Sequence, residues 1–192
     1  MVVGIMNAGY KKRWFEYFPE KALTTYQKKS MDQEFTSDEY LNFLTIELKP
    51  FLFNIMKISH DSNNHFLMGS SMGALISMYG VIEKQDEFGG FAAISTHWPG
   101  AINEDKNAFD QSIQDYLNKN FLRLHNKRIY FDHGTEALDA HYDKYQKEVD
   151  RIFSTELQKH NMFQSKKFIG ASHDENSWSQ RLHIPLKFLL DD

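Results

Sequence analysis

The residues best placed to do chemistry form the run Gly69-Ser70-Ser71-Met72-Gly73, where only Ser71 has a glycine two positions before and two positions after it. The run lies between an apolar stretch, Phe66–Met68, and a stretch with helical spacing, Met72–Lys84. A serine on a tight strand-to-helix turn is exposed and nucleophilic, and flanking glycines relieve the crowding of such a strained turn. We predict Ser71 as a nucleophile and the Met72 N–H as an oxyanion donor. The alternative is a tight turn with an incidental serine.

A serine hydroxyl needs a base to take its proton, and His173 is the best candidate among nine histidines. It falls in the turn-rich segment 170–175, between the last predicted strand and the last predicted helix. That position fits a chain order of nucleophile, acid and base. The other histidines precede this segment or lie within helical patterns, so we predict His173 as the general base. A surface loop histidine is the alternative.

The acid that orients the base is expected after the penultimate strand, where three carboxylates occur. Asp132 ends the strand and can be turned into the sheet, whereas Glu136 and Asp139 lie in a loop whose tip must approach His173. We favour Asp139, with Glu136 second, and Asp132 stays open. Any of the three can instead cap a helix or hold a turn, as most loop carboxylates do.

These residues require a scaffold that brings strand ends together. Short apolar runs predict strands, and longer runs with helical spacing predict helices between them. The predicted strands are Val2–Met6, Phe66–Met68, Phe91–Ile94, Ile129–Phe131 and Lys167–Ile169. The predicted helices are Asp38–Lys57, Met72–Lys84, Asn107–Leu122, His141–Lys159 and Trp178–Leu190. The alternation predicts a three-layer α/β/α sandwich with a mostly parallel sheet, as one domain over residues 1–192, and Pro50 should kink or divide its helix.

Composition excludes several classes of protein and site. The formal net charge is -4, with 26 acidic against 22 scattered basic residues, so no nucleic-acid partner is expected. The basic run Lys11-Lys12-Arg13 precedes aromatic residues, which favours a packed loop over a phosphate site. Without cysteine, thiolate catalysis is impossible. No apolar run approaches the roughly 20 residues of a membrane span, and Met1–Met6 is too short for a secretory signal. We expect a soluble chain, with the cytoplasm as its expected location.

No metal site is expected either. Asp139, His141 and Asp143 are spaced two residues apart, and that spacing does not share a helical face.

Several motifs together resemble a known family, the esterase branch of the α/β-hydrolases, which includes esterase D-like and enterochelin (siderophore) esterase-like proteins. The similarity runs nearly end to end. It implies an α/β-hydrolase fold, Ser71 as nucleophile, His173 as base and the Glu136–Asp139 loop as the source of the acid. It also implies hydrolysis of small-molecule carboxylic esters without a cofactor. The segments that carry it are 2–7, 13–19, 68–73, 95–99, 130–139 and 173–178.

One departure from the family concerns the N-terminal region. Family members begin with further strands, and the loop after one of them supplies a second oxyanion-hole amide. That strand would lie between the strands resembling Val2–Met6 and Phe66–Met68. Three arrangements stay open: a truncated member, an inward Val2–Met6 with Asn7-Ala8-Gly9 as donor, or a homo-oligomer in which a second chain completes the sheet. Losing one oxyanion donor typically costs about a hundredfold to a thousandfold in rate.

The hypothesis from the sequence is therefore a serine esterase that works by two-step acyl transfer. Trp98, after Phe91–Ile94, is expected either to line the pocket beside Ser71 or to fill the sheet edge. The alternatives are a non-catalytic α/β module, which a fluorophosphonate label distinguishes, and an acyltransferase or thioesterase, which an added acceptor distinguishes.

Overall fold

Four parallel strands form the centre of the molecule, whose computed structural model describes residues 1–6, 9–25, 28, 34–98, 107–154 and 162–191. The strands pair in chain order, each parallel to the next. A helix lies between each pair of consecutive strands, because parallel neighbours need a crossover. The strands are β1 (Phe66–Ser70), β2 (Gly90–Ile94), β3 (Arg128–His133) and β4 (Phe163–Lys167).

The helices differ in length and regularity. A π-helix, Phe43–Leu48, connects the α-helices Ser37–Asn42 and Lys49–Ile55. Short 3-10 turns occur at Glu20–Ala22, Ser62–Asn64, Phe121–Leu124 and Ala137–His141. No helix within the described ranges is long and apolar enough to cross a membrane. The α-helices are α1 (Tyr10–Tyr17), α2 (Ser37–Asn42), α3 (Lys49–Ile55), α4 (Met72–Glu83), α5 (Asn107–Asn120), α6 (Asp143–Phe153), α7 (Glu175–Arg181) and α8 (His183–Leu190).

The two faces of the sheet carry cores of different size. Successive strand residues point to opposite faces, so Phe91 and Phe131 join a large cluster with α4, while Ala92 and Tyr130 join a small one with Leu189 of α8. Helices therefore cover both faces, and the prediction of a three-layer α/β/α fold with a parallel sheet is confirmed.

Pro50 divides the first long predicted helix, as expected. The α-helical pattern gives way to the π-helix at Phe43 and resumes at Lys49, with Pro50 in the first turn of α3. Leu48 and Lys49 are themselves helical, so the chain continues through the proline in helical conformation. The irregular π turn just before it is where the helix adjusts to the missing N–H of Pro50. The wider π turn separates the α-helical segments before the proline ring.

Three predictions of local structure were wrong. The last strand is Phe163–Lys167 instead of Lys167–Ile169. It is largely polar, and within the described sheet it pairs with β3 alone. A pattern of apolar residues therefore predicted the segment after it. Residues Val2–Met6 have no regular structure and are exposed, and Lys11-Lys12-Arg13 lies in α1 instead of a loop.

Two predicted helices have different bounds from those expected. The helix expected over His141–Lys159 begins at Asp143 and is described to Phe153. Residues 155–159 of that prediction lie outside the described residues. The helix expected over Trp178–Leu190 is two helices, α7 and α8, separated at Leu182.

Candidate active site

Ser71 lies on a strained turn between β1 and α4. Its backbone has φ 56° and ψ -120°, a region that residues other than glycine rarely adopt. Its N–H donates to the carbonyl of Ile94 at 2.9 Å, and its carbonyl accepts from the N–H of His97 at 3.2 Å. The end of β2 therefore holds the turn in place, which is how a strained conformation persists.

The two glycines of the motif have different roles. A Cβ on Gly69 would lie 2.4 Å from the backbone carbonyl of Gly73, so no side chain fits there. A Cβ on Gly73 would meet no atom within 4 Å. The expectation that both glycines relieve crowding therefore holds for Gly69 alone, because the crowding is between the side-chain position of residue 69 and the backbone of residue 73.

The imidazole of His173 connects Ser71 with Asp139. Its Nε2 lies 2.9 Å from the Ser71 hydroxyl and its Nδ1 lies 2.6 Å from Asp139 Oδ1. The rings of Tyr142 and Trp178 contact the imidazole at right angles, with centroid distances of 5.7 and 5.0 Å. These contacts restrict rotation of the imidazole, so both of its nitrogens stay aimed at their partners.

Asp139 is fully buried and its two oxygens have different partners. Oδ1 faces His173, while Oδ2 accepts from the Gly134 N–H at 2.6 Å and from the Ser95 hydroxyl at 2.5 Å. Burial alone would raise the pKa of Asp139, but the hydrogen bonds from His173, Ser95 and Gly134 hold it below its ordinary value. The carboxylate is therefore ionised at neutral pH and can stabilise an imidazolium.

The other two candidate acids lie elsewhere. Glu136 is exposed, and its carboxylate accepts from the Thr135 hydroxyl. Asp132 is buried and paired with Arg181, whose Nη2 lies 3.0 Å from Oδ1. Of the three carboxylates left open by the sequence, Asp139 is the one whose oxygen lies within hydrogen-bond distance of His173.

Hydrogen-bond chemistry fixes the direction of this chain of three residues. An ionised carboxylate only accepts, so Nδ1 of His173 must carry a proton and donate it to Asp139. The neutral imidazole then has a free lone pair on Nε2, which accepts from the Ser71 hydroxyl. The arrangement can withdraw the Ser71 proton as the hydroxyl attacks an electrophile.

Trp98 does not line a pocket beside Ser71. It is only 3% exposed, and its ring packs against Phe131 at a centroid distance of 6.1 Å. The alternative interpretation, a tryptophan that fills space in the fold, therefore describes its position. Met72 begins α4 with its side chain in the core, so any contact with an oxyanion would use its backbone N–H.

His97 bonds to Ser71 through its backbone N–H, and its side chain contacts Tyr142 and Trp14. Its Nδ1 lies 3.0 Å from the Tyr142 hydroxyl, and its ring meets Trp14 edge-on at 6.1 Å. Burial, together with the nearby charges of His173 and Arg13, lowers the pKa of His97 to about 4. His97 is therefore neutral at physiological pH.

Comparison with protein families identifies the chain. The model of the family described as "Putative esterase" matches residues 2–189. The chain belongs to this esterase family. A search of curated protein sequences finds no match.

Solved structures of esterases have the same fold as this family member. An enterobactin esterase from Shigella flexneri, solved with 2,3-dihydroxy-N-benzoyl-glycine, superposes with a TM-score of 0.64 at 15% identity, over 88% of this chain and 41% of that one. The ferric enterobactin esterase from Salmonella typhimurium gives 0.62 at 19% identity, over 80% and 36%. A ferulic acid esterase gives 0.59 at 18% identity, over 78% and 60%. The chain thus spans less than two thirds of the length of each.

The second oxyanion donor expected from this esterase family falls largely on residues that the structure does not describe. Asn7 and Ala8, two of the three residues proposed for that role, lie outside the described residues. Gly9 is described and precedes α1 with φ 103°. Val2–Met6 is exposed and does not pair with any strand of the described sheet, so the inward arrangement is not found. The choice between the other two arrangements stays a prediction.

No metal-binding cluster of His, Asp and Glu occurs among the residues whose structure is described. The carboxylate of Asp143, one of the three residues considered from spacing, instead forms ion pairs with Lys147 and Lys167 at 2.7 and 2.6 Å. Its neighbour His141 is exposed.

The polar side chains that surround Asp139 on the side away from His173 were not predicted from the sequence. Ser95 bonds to Asp139 directly, and Trp178 and Arg181 bond to Ser95. A search of the residue that follows each strand would have found Ser95, because it lies at the same sheet edge as Ser71. No sequence pattern identifies Arg181, since its carboxylate partner Asp132 is 49 residues away in the chain.

Proposed function

We propose that the chain is a serine hydrolase that cleaves small-molecule carboxylic esters through an acyl-enzyme on Ser71. The single observation that carries the proposal is the continuous hydrogen-bonded chain from Ser71 through His173 to Asp139, with bonds of 2.9 and 2.6 Å. Membership of an esterase family supports ester hydrolysis in general. The strained backbone at Ser71 supports its choice as nucleophile, because strain of this kind concentrates at functional sites.

The reaction uses each of the three side chains for a separate task. Ser71 Oγ bonds to the ester carbonyl carbon while its proton moves to Nε2 of His173, and Asp139 stabilises the imidazolium. The carbon–oxygen bond to the alcohol then breaks, and His173 returns the proton to the departing oxygen. Water repeats the sequence on the acyl-enzyme, with His173 again accepting a proton, and releases the acid and free Ser71. The Met72 N–H is the proposed donor to the oxyanion.

Replacement of Ser71 tests the proposal. Ser71→Ala should abolish hydrolysis of p-nitrophenyl esters and labelling by a fluorophosphonate, because both require the hydroxyl, while thermal unfolding stays close to that of the parent. Ser70→Ala is the matched control, since it removes the adjacent hydroxyl and should still be labelled. Undiminished turnover by Ser71→Ala would refute the proposal.

Two other functions are outcomes of the same experiments. A parent protein that is folded but neither labels nor hydrolyses would be a non-catalytic module of the family. A protein that labels at Ser71, yet transfers its acyl group to an added alcohol or releases it from a thioester in preference to hydrolysing the oxygen ester, would be an acyltransferase or thioesterase.

A further inference from the structure

A cluster of buried polar side chains lies behind Asp139, on the side away from His173. Its members Ser95, Asp132 and Arg181 are 0%, 0% and 4% exposed. Burial of so many polar groups is unfavourable unless they are hydrogen-bonded. Their bonds connect to Asp139 at one atom only, the Ser95 hydroxyl, which lies 2.5 Å from Asp139 Oδ2.

The Ser95 hydroxyl has just one possible direction for its proton. A hydroxyl has one hydrogen to donate and two lone pairs with which to accept. Both lone pairs face groups that can only donate: Arg181 Nη2 at 2.8 Å and Trp178 Nε1 at 3.1 Å. The hydroxyl hydrogen must therefore point to the remaining neighbour, Asp139.

This direction fixes how Asp139 meets His173. Asp139 Oδ2 receives two donors, the Ser95 hydroxyl and the Gly134 N–H. Its second oxygen, Oδ1, is thereby left to accept from Nδ1 of His173. A carboxylate held at both oxygens cannot rotate, and it keeps the imidazole in the one tautomer whose Nε2 is free for Ser71.

Asp132 holds Arg181 in the orientation that this arrangement needs. Its Oδ1 accepts from Nε and Nη2 of Arg181 at 3.1 and 3.0 Å, and its Oδ2 accepts from the Tyr130 hydroxyl at 3.0 Å. The Nη2 atom is closer to Asp132 than to Asp139 Oδ2, from which it lies 3.9 Å away. Arg181 thus pairs with Asp132, and Asp139 keeps its negative charge for His173.

We propose that Ser95 is a positioning residue. Arg181 and Trp178 direct its single proton to Asp139, and the carboxylate held in this way keeps Oδ1 aimed at Nδ1 of His173. The role depends on the proposed function of Ser71, His173 and Asp139. The backbone of Ser95 supports it independently. Ser95 has φ 45°, a strained value for serine, and its N–H donates to the Asp132 carbonyl at 2.8 Å. A serine kept at a position that favours glycine indicates that its hydroxyl is needed there.

Two substitutions of Ser95 separate the hydroxyl from the backbone. Ser95→Ala and Ser95→Gly both remove the hydroxyl, but glycine adopts φ 45° without strain, so the two variants differ in stability. Each should lower kcat for a p-nitrophenyl ester about tenfold to a hundredfold with KM nearly unchanged, the loss expected for one hydrogen bond to a charged group. Equal loss of kcat in variants of unequal stability identifies the hydroxyl as the cause.

The pH profile distinguishes positioning from a structural role. Without the Ser95 donor, Asp139 carries more negative charge toward His173 and stabilises the imidazolium. The acidic limb of the kcat/KM profile should therefore move to higher pH in both variants. Ser37→Ala is the matched control, because Ser37 is also fully buried and bonds through its hydroxyl to Glu20. It should lower stability without moving the limb.

Proton NMR of His173 provides a readout that needs no substrate. The parent should show a strongly deshielded signal from the Nδ1 proton shared with Asp139, and this signal should broaden through faster exchange in Ser95→Ala and Ser95→Gly but not in Ser37→Ala. Trp178→Phe, which removes one donor to Ser95, should have a smaller effect in the same direction.

The outcomes separate this inference from the proposed function. Parent-like kcat, pH limb and Nδ1 signal in both Ser95 variants would overturn the role of Ser95, even if Ser71→Ala is inactive. Full activity in Ser71→Ala would refute the hydrolase proposal, while a broadened signal in the Ser95 variants would still support positioning of Asp139 and His173.

Discussion

Two sides of the same sheet differ in how completely their side chains are buried and hydrogen-bonded. The cluster behind Asp139 is buried, and a continuous series of hydrogen bonds runs through it from Tyr130 to His173. The outer side of β1 is less buried: every residue of β1 is half-buried, whereas every residue of β2 is buried. A groove of about 520 Å³ runs along β1 and reaches Ser70 and Gly73, and apolar side chains are exposed nearby. Those more than half exposed are Met1, Val2, Met6, Ile46, Phe51, Ile55 and Leu190.

This difference separates the two halves of the proposed chemistry. Acid–base transfer uses groups that the described chain positions by itself. The second oxyanion donor expected from the family resemblance belongs to the β1 side, where Val2–Met6 is exposed and two of the three candidate donor residues lie outside the described residues. We therefore expect substitutions behind Asp139 to cost more stability than substitutions of exposed side chains on the β1 side.

The largest loss of stability is expected for the buried ion pair. Asp132→Asn removes the partner charge of Arg181, and an uncompensated buried charge typically costs about 3–5 kcal/mol. Glu87→Gln on the β1 side also removes an ion pair, with Lys49 at 2.6 Å, but Glu87 is substantially exposed, so its loss should stay below about 1 kcal/mol. Urea unfolding measures both.

A double variant checks that the pair itself is responsible. Replacing both charges, as in Asp132→Asn with Arg181→Met, should recover at least half of the lost stability, because no isolated charge then remains buried. If Asp132→Asn alone unfolds at the same urea concentration as the parent, the buried cluster is not a rigid unit.

The second largest effect is expected at Gly69. Gly69→Ala would place a Cβ 2.4 Å from the Gly73 backbone, so the turn must open, at a cost of about 3 kcal/mol. Gly73→Ala is the matched control: its Cβ meets no atom within 4 Å, it lies in α4, and its stability should change by less than about 1 kcal/mol. Equal unfolding midpoints for the two variants would contradict the crowded turn.

The fold was largely predictable because its elements follow hydrophobic pattern. Apolar runs mark β1, β2 and β3, and each was found within a few residues. The pattern failed at β4, whose residues are largely polar, and at Val2–Met6, which is apolar yet exposed. An apolar run predicts a strand only when a neighbouring strand is present to pair with it.

The candidate site was predictable only as far as chain order constrains it. The spacing of glycines marks Ser71, and the position after the last strand marks His173. The choice among three carboxylates was not determined, because it depends on how the segment after β3 folds toward His173: Asp139 lies in the 3-10 turn Ala137–His141, and only Asp132 lies in β3. Ser95 and Arg181 were missed because a hydrogen-bond network between distant elements leaves no periodic trace in the sequence.

A smaller effect, confined to acidic pH, is expected for His97. The pKa of His97 is lowered to about 4 from an ordinary 6.5, so the unfolded chain binds a proton in that window and the folded chain does not. The stabilisation from neutral His97 is complete above pH 6.5. As the pH falls toward 4, the free energy of unfolding decreases by an amount on the order of 2 kcal/mol. His97→Gln should therefore show a shallower loss of stability than the parent between pH 6.5 and 4. Parallel curves in urea unfolding would contradict the depressed pKa.

The smallest effect is expected on the β1 side. Ile46 is 67% exposed, so Ile46→Ala should change the free energy of unfolding by less than about 0.5 kcal/mol. Ile82→Ala is the matched control, because Ile82 is fully buried in the core and its truncation should cost about 2–5 kcal/mol.

A larger loss at Ile46 would itself be informative about the open side. Exposed apolar side chains mark surfaces that associate, and the sequence left open a second chain that completes the sheet. If Ile46→Ala destabilises the protein by more than about 1 kcal/mol, and by more at high protein concentration than at low, then copies of the chain cover this side in solution. A loss that is independent of concentration would instead mean that the chain itself folds over Ile46.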